Sequence, residues 1–196
     1  LICFDFWRTL FEAPLSGSVA RHTARVLAYE DALKASGQHC DPETISSVMV
    51  AEWGFFNTIH TNEHRTPTNR ERVQWISEQL ECRPPEGESL KRLNTALEES
   101  IFAGPPLLID GMGELIAMLA EHASLAIISD TSFSTGRVLR QLLEQVGILQ
   151  YFDVLTFSDE VGRSKPHASV FRETLSRAGE PRRAVHIGDR EDTDVT

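Results

Sequence analysis

Long apolar runs are missing from this sequence. No stretch approaches the ~20 residues that a membrane-spanning helix needs, so no crossing of a bilayer is expected. No basic segment followed by an apolar core opens the chain, which leaves the cytoplasm as the expected location. Cysteine is scarce: Cys3, Cys40 and Cys82 are odd in number and share no metal-ligand spacing. They read as free thiols in a reducing compartment, and a disulfide framework is not expected. Basic charge is also short. The 19 Lys and Arg stand against 29 Asp and Glu, a formal charge of −10, and no basic stripe is available to neutralise a phosphate backbone. A nucleic-acid partner is therefore not expected. A small anionic substrate remains compatible, because a metal and a few local cations can hold it against the overall field. Internal repeats and low-complexity tracts are absent.

What is present is an ordinary globular composition, 41% apolar and 24% charged over 196 residues. That length supports one sizeable core, alone or with an inserted unit. The chain begins at Leu1 without Met, inside an apparent strand, and stops at Thr196, two residues after Asp194. Both ends read as trimmed, so an element missing there carries no weight. Oligomeric state has no signature in the sequence.

Almost continuously apolar runs at 1–4, 125–129, 154–157 and 184–187 predict strands buried on both faces of a parallel sheet. Helical spacing separates the last three. Val138, Leu139, Leu142 and Leu143 form one stripe ended by Gly147, and Val170, Phe171, Thr174 and Ala178 form a second ended by Gly179. Strand, helix, strand, helix, strand predicts a doubly wound, Rossmann-like α/β fold with helices on both faces. Residues 12–105 differ. Val19, Thr23, Val26 and Leu33 have helical spacing, as do Ile45, Val48, Met49, Trp53, Phe56 and Ile59 after an Asp41-Pro42 start. Thr68-Asn69-Arg70-Glu71 is a capping box leading into Val73, Ile76 and Leu80, and a fourth helix is expected over 89–102. The prediction is an all-helical insert at 12–105 within a core made of 1–11 and 106–196, with Gly104-Pro105-Pro106 as the hinge. Trp53, Phe55, Phe56 and Trp75 are expected in the core of that insert.

Ligands of open α/β sheets bind beyond the carboxyl ends of the strands. That rule gathers Asp5, Ser129-Asp130, Lys165, and Asp189 with Asp194. A carboxylate can act as a nucleophile. A hydroxyl and an ammonium can hold phosphate oxygens, and hard carboxylate oxygens suit Mg²⁺. Read singly, each piece has a plainer meaning: Ser129 to Ser132 as a helix cap, Lys165-Pro166 as a solvated turn, the acidic run as a surface loop.

Taken in order, Asp5-Phe6-Trp7-Arg8-Thr9-Leu10, Ile127-Ile128-Ser129-Asp130, Ser164-Lys165-Pro166 and Gly188-Asp189 with Asp194 resemble the four motifs of the haloacid dehalogenase (HAD) superfamily of hydrolases. The helical insert after the first motif resembles that superfamily's C1 type of cap. The resemblance implies Mg²⁺-dependent hydrolysis of a small phosphate ester through an aspartyl-phosphate at Asp5. It implies catalytic roles for Asp5 as nucleophile, Ser129 as phosphoryl ligand and Lys165 as the cation neutralising both. It implies that Asp5, the backbone carbonyl of Trp7, Asp189 and Asp194 hold the metal, Asp194 directly or through a neighbour. Thr9, Asp130 and Arg8 fall on the substrate side, Thr9 fixing the first loop.

Two residues depart from the pattern. Phosphatases of the superfamily carry Asp where this chain has Trp7, and indole is a donor that neither gives up nor takes a proton near neutral pH. A missing acid–base group costs roughly 10²–10⁴ in rate, so a replacement is expected among Asp130, Glu12, His60 and His64. Arg8 stands where Gly is usual, and either adds a cation or crowds the site. An aromatic residue at position 7 resembles the 2-haloacid dehalogenases, whose halide leaves unprotonated. A catalytically decayed phosphate-binding module is the other alternative. Phosphonate hydrolysis needs a cap lysine for a Schiff base, and Lys34 and Lys91 are weak candidates.

Overall fold

A computed structural model describes residues 1–194. In chain order the elements are β1 (Ile2–Phe4), β2 (Phe11–Glu12), α1 (Leu15–Ala35), α2 (Pro42–Glu63), α3 (Asn69–Gln79), α4 (Gly87–Glu99), a 3-10 turn (Ser100–Ala103), β3 (Leu107–Leu108) and α5 (Met112–Ala120). There follow β4 (Leu125–Ser129), α6 (Gly136–Gln145), a second 3-10 turn (Leu149–Tyr151), β5 (Val154–Phe157), α7 (Ser158–Val161), α8 (Ala168–Arg177), β6 (Val185–Ile187) and α9 (Glu191–Asp194).

The strands predicted from apolar runs pair as one parallel sheet in the order β5-β4-β1-β6. The period of two along β4 shows why its sequence has no polar gap. Leu125 and Ile127 face one core with Phe4 of β1, Ile116 of α5 and Val138 and Leu142 of α6. Ala126 and Ile128 face the other with Cys3 and with Val170 of α8. Both faces are covered, so the fold is the predicted Rossmann-like α/β arrangement.

Helices α1 to α4 surround a separate core of Val26, Tyr29, Leu33, Ile45, Met49, Val73, Ile76, Leu93 and Leu97. Their starts follow local chemistry. Asp41 accepts from the backbone N–H of Thr44 at 2.9 Å, and Thr68 and Glu71 form the reciprocal capping box. Phe133, from the loop after β4, is also buried in this helical core. A short antiparallel ribbon of β2 with β3 joins the two parts. Gly17 at the start of α1 and Gly104 pack backbone to backbone, leaving no space for a Cβ at Gly104. Arg21 then donates to the Gly104 carbonyl at 2.9 Å.

Some expectations need correction. β6 is not buried on both faces: Val185 and Ile187 are 52% and 42% exposed, because among the described residues β6 is an edge strand paired to β1 alone. The fourth helix stops at Glu99 and tightens into a 3-10 turn. Of the aromatics expected in the helical core, Phe56 is buried, but Trp53 is 58% exposed and stacks on Phe56 at 5.1 Å. Phe55 stacks on Trp75. Helix α5 and the β2–β3 ribbon were not anticipated. No helix among the described residues is long and apolar enough to cross a membrane.

Candidate active site

The turn after β1 is built to present a few side chains. The Asp5 N–H donates to the Ile187 carbonyl at 2.8 Å, tying the end of β1 to the end of β6. The chain then folds back, with the N–H groups of Leu10 and Phe11 both donating to the Phe6 carbonyl and the Arg8 N–H donating to the Phe11 carbonyl. Phe6, Leu10 and Phe11 are fully buried by this turn. Trp7 and Arg8 are left facing a cavity of about 600 Å³. Arg8 adopts a left-handed backbone, φ 59°, which costs a residue with a Cβ of order 1 kcal/mol or more.

Lys165 stands at the centre of the site, 2% exposed by side chain. Its Nζ lies 2.5 Å from Asp194 Oδ1 and 3.0 Å from Asp5 Oδ1. Its backbone N–H donates to Asp130 Oδ1 at 2.9 Å. The other Asp130 oxygen lies 3.2 Å from His60 Nε2, which α2 brings down from the helical core. Asp194 also meets His186 Nε2 at 2.9 Å and accepts the Arg190 N–H at 3.0 Å. Its carboxylate occupies the space that a side chain at Gly188 would need, so this loop requires glycine there. Arg8 Nε lies 3.1 Å from Asp189 Oδ2, with the Arg8 side chain 78% exposed.

The charges reinforce one another. Burial tends to raise the Asp194 carboxyl, but hydrogen bonds from His186 and Lys165 and the Lys165 charge hold it well below the usual carboxylate range. Burial opposes the charge on Lys165, and Asp5, Asp194 and Asp130 outweigh that and push the ammonium up. Asp5 is raised by burial, with Lys165 offsetting part of the rise. Oxygens of Asp5, Asp189 and Asp194 all lie within 4.8 Å of one another. The arrangement offers a buried carboxylate, a fixed cation beside it and hard oxygen donors, gathered at one cavity.

Asp5, Trp7, Arg8, Asp130, Lys165 and Asp189 therefore line one cavity, and Asp194, off its wall, is bonded to Lys165 Nζ. Two expected site residues are placed differently. Ser129 is fully buried at the end of β4, is not on the cavity wall, and donates to the Asp130 carbonyl at 3.3 Å. Thr9 is also off the wall, with a buried hydroxyl that has no partner among the described residues. Of the four candidate acids, His60 and Asp130 reach the cavity. Glu12 is in the ribbon strand β2, and His64 closes α2 in a left-handed conformation, its carbonyl taken by the Ser164 N–H. Arg21, Arg25, Trp53 and Phe133 also line the cavity, and the sequence reading did not anticipate them as site residues. The signal available for the arginines was their i, i+4 spacing on α1, which alone says only that they share a face.

With this geometry established, comparison with known proteins is direct. The haloacid dehalogenase-like hydrolase family model matches residues 1–196, and the chain belongs to that family. It is similar to the pyrimidine 5′-nucleotidase YjjG of Escherichia coli, 34% identical over 89 residues, which are 44% of this chain and 38% of the nucleotidase. The match thus spans well under half the length of that relative. Among solved structures, the 2-haloacid dehalogenase from Pseudomonas syringae pv. Tomato DC3000 superimposes with a TM-score of 0.66 at 18% identity, over 99% of this chain and 79% of that one. The HAD-hydrolase YfnB from Bacillus subtilis, bound to magnesium, gives 0.63 at 20% identity, with the same coverage. At those identities the structural likeness speaks to fold.

Proposed function

We propose that this hydrolase cleaves a small phosphate ester, with Asp5 as nucleophile. The observation that carries the reading is Lys165, held between Asp5 and Asp194 on the wall of the cavity. The nucleotidase relative, itself a phosphate-ester hydrolase by name, supports it. Residues 1–11 and 106–196 are proposed as the core and 12–105 as a cap that closes over the substrate. The three free thiols fit a reducing, cytoplasmic setting.

Asp5 Oδ1 is occupied by the Phe6 N–H at 2.7 Å and by Lys165, which leaves Oδ2 as the attacking atom. Attack on phosphorus forms an aspartyl-phosphate and breaks the ester P–O bond, and the departing alkoxide takes a proton. Trp7 cannot supply that proton. His60, oriented by Asp130, is assigned as its source, and then as the base for the water that hydrolyses the aspartyl-phosphate to inorganic phosphate and free Asp5. Lys165 balances charge on Asp5 and the phosphoryl oxygens throughout. Ser129 keeps its assignment as a phosphoryl ligand through its place at the end of β4, once its hydroxyl leaves the Asp130 carbonyl. Thr9 supports the turn that carries Trp7 and Arg8, and Arg8 faces the anionic substrate.

The donor set fits Mg²⁺. Asp5, Asp189 and Asp194 supply hard oxygens close together, and the acids Asp5, Asp130, Asp189 and Asp194 outnumber the cations Lys165 and Arg8 paired with them. Those three carboxylates and the Trp7 carbonyl are the residues proposed to hold the ion. When bound, it stabilises negative charge on the transferring group.

One observation favours a second reading. Trp7 puts a non-titrating ring on the cavity wall, which suits carbon–halogen hydrolysis, where no leaving group needs a proton. A screen of phosphate esters and 2-haloacids with and without Mg²⁺ separates the two. Phosphate release that is lost on chelation, and that falls about 10⁴-fold or more in Asp5→Asn, is expected. Halide release indifferent to chelator would establish the second reading. Anion binding without hydrolysis of any substrate would instead mark a decayed binding module.

A further inference from the structure

Helix α1 places Arg21 and Arg25 one turn apart on the wall of the cavity that holds Asp5. Like charges at this spacing repel, and burial makes the repulsion stronger because less water screens it. Yet neither guanidinium has a carboxylate partner among the described residues. Arg21 donates to the Gly104 carbonyl at 2.9 Å and to Ser18 Oγ at 2.8 Å. Arg25 uses Nε on Ser100 Oγ at 2.8 Å and lies 4.6 Å from the centre of the Phe133 ring. Its two terminal amino groups make no hydrogen bond to the described residues. Burial and the neighbouring Arg72 and Arg21 push Arg25 down to about 10, as expected for a cation lacking its counter-ion. Glu52, the acid whose charge acts on Arg25, is spent: both of its oxygens are bonded to Arg72, at 2.6 and 2.7 Å.

A cation pair without a counter-ion on the wall of a cavity implies an anion that arrives with the ligand. With Lys165 already beside Asp5 to meet the phosphoryl group, the arginines on α1 are left for a different part of the ligand. We infer that Arg21 and Arg25 form a second anion subsite, and that the substrate is a phosphate ester whose leaving alcohol itself carries a carboxylate or a second phosphate. This inference rests on the proposed function for where the phosphoryl group sits. Guanidinium forks match both oxyanions in paired hydrogen bonds, so the subsite recognises the shared chemistry. Trp53 and Phe133 line the same cavity and offer a ligand apolar contact beside the arginines.

The test is a binding series read by calorimetry on the Asp5→Asn protein with Mg²⁺, repeated on the unaltered chain. The ligands are glycerol 1-phosphate, 3-phosphoglycerate and glycerol 1,3-bisphosphate, which share a three-carbon backbone with its C2 hydroxyl and differ in the distal group. Tighter binding of the carboxylated or bisphosphorylated ligand, by about tenfold or more, is expected. Which of the two gains identifies the anion. Adding Arg25→Gln is expected to erase that ratio, and Arg25→Lys, which keeps the charge without the fork, to restore part of it. Thermal melts of each variant establish that it is folded. Equal affinity for all three ligands, or a ratio that survives Arg25→Gln in a folded protein, overturns the subsite. If the ratio behaves as expected but the unaltered chain hydrolyses no phosphate ester, the subsite stands and the hydrolytic reading falls.

Discussion

Two buried charge centres lie in this molecule, one in the helical part and one at the sheet, and they are balanced in opposite ways. In the helical part, Arg72 and Glu52 meet in a bidentate pair, 1% and 2% exposed by side chain. The remaining Arg72 amino group donates to Ser132 Oγ at 3.1 Å, and the guanidinium lies 3.4 Å from the centre of the Phe133 ring. One cation meets one anion, and little is left to bond. At the sheet, Lys165 is equally buried but faces Asp5, Asp194 and Asp130, with Asp189 nearby, and all of these but Asp194 line the cavity. The first centre is complete in itself, and the second has negative charge in surplus. A buried pair that is already neutral and fully bonded serves architecture. A buried cluster with an unmet charge is a place for chemistry. The cavity repeats the lesson with the sign reversed at Arg21 and Arg25.

The contrast can be broken at the closed centre first. Glu52→Gln leaves the Arg72 guanidinium buried without its counter-charge, and a loss of about 3–5 kcal/mol is expected. The urea midpoint of unfolding measures it. A double replacement, Glu52→Met with Arg72→Met, should recover much of that stability, since neither charge is then stranded. A Glu52→Gln protein within about 1 kcal/mol of the original would show that the pair is not a closed, self-contained unit.

At the open centre, His60→Gln should leave stability nearly unchanged and lower hydrolysis of simple alkyl phosphates by roughly 10²-fold, the lower end for loss of a general acid. Esters of p-nitrophenol, whose leaving group needs no proton, should lose much less. Equal losses on both would remove His60 from the proton-transfer role. The smallest expected effect is at Arg8. Its pair with Asp189 is largely solvent-exposed, worth about 1 kcal/mol or less, so Arg8→Ala should tighten Mg²⁺ binding only a few-fold. Weaker Mg²⁺ binding in that variant, measured by calorimetry, would mean Arg8 supports the acidic cluster and does not compete for it.

The legible parts of the fold were those whose physics is local. β4 and β5 announce themselves because burial on both faces removes polar residues from the strand, and Thr68 to Glu71 cap a helix through neighbours in the chain. Helix α5 was harder to read: it follows a two-residue strand, and its apolar residues are spread around the helix, leaving Leu115 and Met118 exposed. The β2–β3 ribbon pairs only two residues from each side across the whole helical insert, too little for a pattern to show. At the site, Asp5, Lys165, Asp189 and Asp194 were readable because strand ends focus them. The distal wall was not. Arg72 finds Glu52 twenty positions away, and only that pairing shows that Arg25 has no acid left to it. His60 was one candidate among four until α2 set it against Asp130.

Phe133 gives the molecule a mechanical property. The residue belongs by sequence to the loop that follows β4 and supplies much of the cavity wall, yet its ring is buried in the helical core, in contact with the guanidiniums of both Arg25 and Arg72. Any movement that lifts the helices from the sheet has to withdraw that ring from its two cations or carry the loop along. Admission of a ligand and the shape of the loop beneath it are therefore a single coordinate, with Phe133 as the latch.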